Sequence, residues 1–450
     1  MRNFLAFLIL CTGVITSNAQ DNRDYKFSLE EAISFALDSN YTAINSRRDI
    51  AKAIKRKWET TATGLPQLSA GVNYQNNLKQ PVSLIPSEFV GGEPGTFVPV
   101  IFGTKQLASA TATIEQLIFD GSYLVGLQAA RAFLDYSENA DEKIRLEIRK
   151  GVINAYASVL LSEELITIFQ KNKNTLEQNL FEIRQTFENG LAEEEDVEQL
   201  EITLLDVQTQ LSNATRTNII SRQMFNVALG IDINEQVVLT ENLNQLTQQN
   251  ISLDIMSSNL SVEENIDYKI AFNLTEQRSL ELKLEKSRAL PSLNAYVNYG
   301  TQAYSNEFSF LDTNQQWFQS STLGVSMNIP ILSSGMRGAR TQQARIALDQ
   351  AESQLEETKQ NIQLEYASAL NTYQFQLENY QNSKKNLQLA ERIEQKNQIK
   401  FTEGLASSFE LRQAQTQLYT AQQQYIQSML DIINAKTELE TVLNIPQLKN

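Results

Sequence analysis

Two periods of hydrophobic and polar residues follow one another along the chain, and each occurs twice. Apolar residues alternate with polar ones over residues 68–74 and again over 293–299. A period of two predicts strands with one apolar face. Return strands are predicted at 108–118 and 322–329, after loops rich in proline, glycine, serine or aromatic residues. Each half of the chain is therefore expected to supply a pair of strands.

The second period is helical and extends over unusually long stretches. No proline occurs between Gly121 and Gly190 or between Gly335 and Gly404. Each span is predicted to be a helix of roughly 67 residues, about 100 Å long. Small and apolar residues recur there at steps of three and four, as in a coiled coil. The predicted seam positions are Ile144, Ile148, Gly151, Ala155, Ser158, Ser162, Leu165 and Phe169 in the first long helix, with matching seams over 197–228 and 411–442.

A short segment that occurs twice ends each long helix. Residues 187–192 read Phe-Glu-Asn-Gly-Leu-Ala and residues 401–406 read Phe-Thr-Glu-Gly-Leu-Ala. Their glycines, Gly190 and Gly404, lie about 214 positions apart and are typical of helix ends that need a positive φ. A new helical pattern starts directly after each, so each segment is predicted to form the tip of a helical hairpin.

The start of each half is also repeated. Ser28-Leu29-Glu30-Glu31 and Ser261-Val262-Glu263-Glu264 both have the capping-box pattern, in which serine and the glutamate three residues later satisfy each other's backbone N–H groups. Helices are predicted from these boxes over 29–63 and 262–289, ended by the Leu-Pro pairs that follow.

These repeats divide the chain into four parts. Residues 1–19 have the basic start, apolar core and small-residue end of a signal peptide. Residues 20–231 form the first repeat, 232–259 a polar connector and 260–450 the second repeat. Lipidation of Cys11 is not expected, because bulky residues precede it where a lipoprotein has small ones.

Composition excludes several kinds of chemistry. The sequence has no histidine and one cysteine, which excludes His-based triads and His-based zinc sites. Its net charge of −15, from 38 basic and 53 acidic residues, disfavours nucleic acid as a partner. No stretch beyond the leader approaches 18 consecutive apolar residues, which argues against a spanning helix.

Four amphipathic strands cannot satisfy their edges alone, whereas eight or more can close a barrel. Three chains would give twelve strands. Strands of about ten residues with an apolar outer face in an exported protein suggest an outer-membrane barrel.

The capping-box helices, the paired strands after each Leu-Pro, Phe119-Asp120-Gly121 and the two Gly-Leu tips together resemble TolC-type outer-membrane efflux proteins. The resemblance implies an α+β membrane protein: a homotrimer whose twelve-stranded β-barrel, four strands per chain, lies in outer-membrane lipid. The barrel continues into a long α-helical coiled-coil barrel in the periplasm. It implies a passive duct without cofactor or enzymatic activity. Cargo would come from an inner-membrane pump through a periplasmic adaptor protein.

The resemblance also assigns residues to roles. Gly190, Leu191, Gly404 and Leu405 would form the tips that dock the adaptor. Asp196 and Glu410, each six residues after its tip glycine, would lie at the periplasmic entrance as a gate. A second carboxylate of the family falls on Gln413 here, which puts a double acidic ring in doubt. An acidic cluster follows the first tip, and the alternative to a gate is that its carboxylates complement the helix N-terminus and face solvent. The cluster consists of Glu193, Glu194, Glu195, Asp196 and Glu198.

Two aromatic residues, Trp317 and Phe318, are candidates for a membrane-interface anchor, with simple loop packing as the alternative. For the whole chain, one alternative is a secreted or surface coiled-coil protein such as an adhesin stalk. A second is a carboxylate-dependent secreted hydrolase. The sequence does not identify the cargo or the class of pump.

Overall fold

A computed structural model of the protein describes residues 25–444, so the predicted leader, including Cys11, lies outside the described residues. Helices and strands follow one another as the two sequence periods predict. In chain order they are β1 Tyr25–Phe27, α1 Leu29–Ser39, α2 Tyr41–Ala62, β2 Gln67–Asn76, β3 Val82–Pro86, β4 Phe97–Ile101, β5 Gln106–Phe119, α3 Gly121–Glu188, α4 Glu194–Leu229, β6 Val237–Leu239, α5 Leu243–Asn250, α6 Ile266–Ser287, β7 Ser292–Ser305, β8 Phe318–Asn328, α7 Met336–Thr402 and α8 Ser408–Val442.

The four predicted strands form one antiparallel sheet in the order β2-β5-β7-β8. The alternation of apolar and polar residues therefore does mark strands, as predicted. Within the described residues, β2 and β8 each pair on one side only, so the sheet has two open edges. All ten residues of β2 are exposed.

A second hairpin, β3–β4, lies inside the segment predicted to be an irregular loop. Val82 pairs with Ile101 and Pro86 with Phe97. Prolines at positions 81, 86 and 99 hid this hairpin from the sequence pattern, because proline weakens a strand prediction. A short parallel pair of β1 and β6 was also not predicted, since three residues carry no readable period.

The first capping box is confirmed, but the helix it opens is shorter than predicted. The Ser28 N–H donates to the Glu31 carboxylate at 2.8 Å, and the Ser28 hydroxyl accepts from the Glu31 N–H. The helix breaks at Asn40, whose backbone is extended and whose side-chain amide donates to the Ala228 carbonyl at 2.8 Å. A long-range contact therefore divides the predicted 29–63 helix into α1 and α2.

The second capping box is wrong. Ser261 makes no side-chain capping bond, and the three residues after it form a 3₁₀ turn. Asn265 caps α6 instead, because its side-chain oxygen accepts from the Asp267 N–H at 2.9 Å. The sequence offered two capping residues four positions apart, and the pattern favoured the wrong one.

Both long helices are confirmed, with 68 residues in α3 and 67 in α7. The seams predicted for α4 and α8 are largely buried or half-buried. In α3 the predicted face is rotated: Gly151 is exposed, whereas Val152, Tyr156 and Val159 are fully buried. Tyr156 packs on the ring of Phe225 at 5.6 Å, so α3 buries a broader face than a two-helix seam requires.

Contacts divide the chain into two compact units. Of the described residues, one unit contains 25–44, 145–260 and 365–444, and it includes the helical hairpins and the β1–β6 pair. The other contains residues 45–144 and 261–364, with the four-stranded sheet and the helical segments next to it. Each unit therefore takes segments from both halves of the chain.

One described helix, α3, contains an 18-residue window that by length and composition alone could cross a membrane. Of this window, 44% is buried inside the protein. Core helices of soluble proteins pass the same test, so this window is weak evidence for a membrane span.

Candidate functional site

The two predicted tips close with the same backbone geometry. Gly190 and Gly404 have φ of +73° and +71°. The Gly190 N–H donates to the Phe187 carbonyl at 2.8 Å and the Leu191 N–H to the Thr186 carbonyl at 3.0 Å. The second tip repeats both bonds at 3.0 and 2.7 Å. This is the Schellman arrangement, which satisfies the last carbonyls of a helix and requires a left-handed residue.

Each tip presents one leucine to solvent. Leu191 is 81% exposed and Leu405 is 72% exposed. A Cβ placed on Gly190 or Gly404 would meet nothing within 4 Å. Glycine is therefore favoured there by backbone conformation rather than by lack of space, and the surface around both tips is open.

The two candidate gate carboxylates both lie at the start of a helix. Glu410 accepts from the Ser407 N–H at 2.9 Å, and the Ser407 hydroxyl accepts from the Glu410 N–H in return. Asp196 accepts from the Glu193 N–H at 3.2 Å. These bonds give each carboxylate a capping role, as the alternative interpretation of the acidic residues expected.

Asp196 has a second role that the sequence did not suggest. Its other carboxylate oxygen accepts a hydrogen bond from the hydroxyl of Ser408, a buried residue in the first turn of α8. We call residues 145–229 the first hairpin and residues 365–442 the second hairpin. The Asp196–Ser408 bond joins the two hairpins next to their tips.

Amide side chains continue this connection away from the tips. Asn179 and Gln398 exchange two hydrogen bonds of 3.2 Å. Further along, Asn172 donates to Gln422 at 2.8 Å and Gln423 donates to Gln210 at 2.7 Å. The contact between the hairpins is therefore a series of neutral polar pairs as well as an apolar core.

The apolar core near the tips lies mainly within the first hairpin. Its buried members are Leu176, Leu180, Ile183, Leu200 and Val207. Phe401 and Tyr419 of the second hairpin pack against this group and are half-buried. A second cluster, Ala390, Leu418 and Ala421, lies within the second hairpin, and Tyr419 packs against both clusters.

Two arginines close in sequence to the tips, one in each hairpin, have contacts other than the candidate gate carboxylates. Arg184 forms an ion pair with Glu201, in its own hairpin. Arg412 lies over the Phe409 ring, with its guanidinium carbon 5.4 Å from the ring centre. Among residues 25–444, no ion pair joins an arginine to Asp196 or Glu410. No group of three acidic, cysteine or histidine side chains there could hold a metal ion.

A polar group inside the second hairpin was missed by sequence reasoning. Gln415 is fully buried, and its side-chain amide lies within reach of the Glu394 carboxyl. Nearby, burial raises the pKa of Glu394, while Gln415 and Lys171 oppose that shift. Burial and the Glu394 charge together raise the pKa of Tyr419. Gln415 lies next to a predicted seam position of α8. Only a prediction that buried a broader face of this helix would have identified it.

The two candidate interface aromatics lie at the end of the sheet. Trp317 is 38% exposed, and its ring centre is 6.5 Å from that of the buried Phe310. Phe318 is the first residue of β8 rather than a loop residue, and its ring centre is 6.1 Å from that of Tyr304. Both residues are therefore packed and also partly accessible, which leaves both interpretations of them open.

A family model described as outer membrane efflux protein matches residues 60–230 and 271–444, which is more than half of the chain. The two matched segments fall in the two halves of the chain, in agreement with the internal repeat. A search of curated protein sequences finds no significant match.

Several solved structures have a similar fold. A crystal structure of CusC, studied for folding and transmembrane channel formation, aligns with a TM-score of 0.74 and 17% identity, over 92% of this chain and 91% of that one. The CmeC outer membrane channel of Campylobacter jejuni aligns with a TM-score of 0.72 and 15% identity, over 92% and 85%. VceC, an outer membrane protein of Vibrio cholerae, aligns with 0.71 and 15%, over 92% and 96%. At these identities the likeness establishes the fold.

Burial of Glu394 predicts a dependence of stability on pH. Because its folded-state pKa is raised, the folded chain keeps this proton to a higher pH than the unfolded chain. The contribution of Glu394 to stability is therefore most favourable below the ordinary value of 4.5 and decreases as pH rises through the raised pKa. We expect Glu394→Gln to lose less thermal stability than the wild type between pH 5 and pH 8, measured by helical circular dichroism.

The matched control is Glu391→Gln, an exposed glutamate one turn earlier in α7. It should follow the wild-type curve. Equal pH dependence of Glu394→Gln and the wild type would show that the Glu394 carboxyl is not desolvated.

Proposed function

The chain belongs to the outer membrane efflux protein family, and on that basis we propose that it is the exit duct of a tripartite efflux or type I secretion system. In this role it passively conducts drugs, small molecules or proteins across the outer membrane. An inner-membrane pump supplies the energy and a periplasmic adaptor connects pump and duct. The membrane-embedded part is a twelve-stranded barrel made by three copies of the chain.

The observation that carries this proposal is an apolar row across the sheet. Leu68, Ile114, Val297 and Leu323 pair in register across its four strands, so they lie on one face. All four are exposed. An exposed apolar face on a sheet is costly in water but suits contact with lipid.

The open edges of the sheet support the trimer. An unpaired strand edge cannot lie in hydrocarbon, because each unsatisfied backbone group there costs several kcal/mol. Pairing β8 of one copy with β2 of the next satisfies both edges. Three copies then supply twelve strands, within the range in which membrane barrels close.

The alternatives explain less of the chain. A coiled-coil adhesin would account for the long helices but not for the in-register apolar row of the sheet. The family match, moreover, includes strands and helices of both halves. A carboxylate-dependent hydrolase needs two carboxylates converging in a cleft. Asp196 and Glu410 instead hold their own helix starts.

The tips at Gly190, Leu191, Gly404 and Leu405 are the proposed docking points for the adaptor. Their identical backbone geometry and exposed leucines support this role, because exposed apolar side chains on a rigid turn suit protein recognition. Three copies would present six such tips around one opening.

Asp196 and Glu410 are the proposed gate residues of that opening. Three copies of a carboxylate in a narrow ring repel one another, so capping and the Ser408 bond would help to hold the resting state. Trp317 and Phe318 are the proposed interface anchors, supported by their partial exposure at the end of the sheet.

Reconstitution tests the proposed function directly. Purified protein should be trimeric in detergent by light scattering and should form ion-conducting channels in planar lipid bilayers, because a closed barrel of three copies encloses a lumen. A protein that fractionates with the soluble periplasm, or that stays monomeric and gives no conductance, would contradict the proposal.

Charge at the two tips should abolish export. In the double variant Gly190→Asp with Gly404→Asp, we expect loss of export to the level of a deletion strain, because aspartate adds charge and backbone strain of about 1–2 kcal/mol per tip. Trimers should remain in the outer membrane, which membrane fractionation followed by native gels would show.

The control for the tips is Gly190→Asn with Gly404→Asn. Asparagine tolerates the left-handed conformation better than most residues and carries no charge. This variant should keep most of the export. Normal export by the aspartate variant would mean that the tips do not dock a partner.

The gate proposal predicts a change in conductance. Asp196→Ala with Glu410→Ala removes the carboxylates and the Asp196–Ser408 bond, so single-channel conductance in planar bilayers should rise or its sensitivity to cations should change. Glu194→Ala with Glu403→Ala, at exposed positions near the same tips, is the control. Wild-type conductance and cation block in the first variant would leave Asp196 and Glu410 as helix caps only.

A further inference from the structure

The two open edges of the sheet determine which helices meet between copies of the chain. Helix α2 leads into edge strand β2, and helix α7 follows edge strand β8. If β8 of one copy pairs with β2 of the next, as the proposed trimer requires, α7 of one copy lies beside α2 of the other. Antiparallel strands give these two helices opposite directions.

Helix α2 carries a concentration of positive charge in a chain whose net charge is −15. Its 22 residues include six basic and two acidic side chains. Arg48, Lys52, Lys55 and Glu59 are spaced by four, three and four positions and therefore lie on one helical face. All four are exposed. We call them the α2 stripe.

Helix α7 carries the opposite order of charges at the same spacing. Arg345, Asp349, Glu352 and Glu356 are spaced by four, three and four positions, again on one face, and all are exposed. We call them the α7 stripe. Along the chain the α2 stripe reads basic, basic, basic, acidic, and the α7 stripe reads basic, acidic, acidic, acidic.

When the two stripes run in opposite directions, every position faces an opposite charge. We propose that α2 of one copy and α7 of its neighbour form an ionic interface with four such pairs. This inference rests on the trimer proposed above. The pairs in register are Arg48 with Glu356, Lys52 with Glu352, Lys55 with Asp349 and Glu59 with Arg345.

Within one copy these charges have few favourable counterparts: only Lys55 with Glu59 and Arg345 with Asp349 bring opposite charges to i, i+4 within a stripe. Among the described residues, none of the eight side chains takes part in an ion pair. Like charges also adjoin one another at i, i+4 in each stripe, as with Arg48 and Lys52 or Glu352 and Glu356. Such neighbours destabilise an isolated helix. The like charges of each pattern find opposite charges when the other stripe covers them.

The stripes also restrict how two copies can assemble. A shift by one helical turn places Lys52 opposite Glu356, and it leaves Arg48 and Arg345 without their partners. A parallel arrangement brings the basic end of the α2 stripe against Arg345. Complementary charges therefore select both direction and register, which is the use that coiled coils make of charged flanking positions.

Cross-linking tests the register. In Lys52→Cys with Glu352→Cys, a bismaleimide about as long as the 8–10 Å between packed helices should link chains into dimers and trimers. In Lys52→Cys with Gln363→Cys, on the same face but about 16 Å further along α7, linkage should be at least tenfold weaker. Each single-cysteine variant serves as a further control, since Cys11 is the sole native cysteine.

Charge inversion tests the interaction itself. Trimers of Lys52→Glu with Lys55→Glu should dissociate roughly tenfold faster at low salt, and high salt should reduce the difference. Adding Asp349→Lys and Glu352→Lys to the same chain should restore the rate to within about twofold. Equal dissociation rates for all three proteins would overturn the inference.

The outcomes separate this inference from the proposed function. A wild-type trimer by light scattering without the 52–352 cross-link would overturn the interface and leave the duct intact. A wild-type monomer would overturn the duct and, with it, the interface. Salt-sensitive binding to phosphatidylglycerol vesicles that Lys52→Glu with Lys55→Glu abolishes, in a trimer lacking the cross-link, would assign the α2 stripe to anionic lipid instead.

Discussion

The unpaired edges of the four-stranded sheet are the constraint on which the rest of this protein depends. Edge strands expose backbone N–H and C=O groups that hydrocarbon cannot satisfy. In the described part of one chain this sheet has four strands and two such edges. The sheet therefore needs further copies of itself. Helices that begin or end within ten residues of a sheet strand must then lie side by side in the same order as the strands to which they are connected. The duplicated sequence suits this need, because each half adds one strand pair and one helical hairpin.

Near their tips the helical hairpins are held by two kinds of contact with different consequences. Near the tips each hairpin has its own apolar cluster, whereas paired amides and the Asp196–Ser408 bond connect the two hairpins. Separating apolar surfaces costs free energy in proportion to their area. Neutral amide pairs exchange their partners for water at a much smaller net cost. Farther from the tips the hairpins are also joined by ion pairs of Arg149 with Glu440 and of Lys150 with Glu438, the first of which is largely buried.

The elements with a strong period could be predicted from the sequence, and those determined by long-range contacts could not. The four sheet strands, the two long helices and both tip glycines follow from local pattern, and the structure has them where expected. The break at Asn40 depends on a carbonyl 188 positions away. The rotated face of α3 depends on neighbours such as Phe225. The bond from Ser408 to Asp196 joins residues 212 positions apart, and no local spacing encodes it.

The Asp196–Ser408 bond also shows how a duplicated sequence produces two unequal hairpins. Asp196 corresponds to Glu410 in the second half, and Ser408 corresponds to Glu194 in the first. The reciprocal contact would place Glu410 against Glu194, two carboxylates that repel each other. The link between the hairpins can therefore form only from Ser408 of the second hairpin to Asp196 of the first. Within the described residues, the Glu410 side chain makes only its capping bonds with Ser407. Asp196 accepts one hydrogen bond from the start of its own helix and another from the other hairpin. The two tips share one backbone geometry, but loss of the Asp196 side chain would affect the contact between the hairpins, whereas loss of the Glu410 side chain would act on the start of α8.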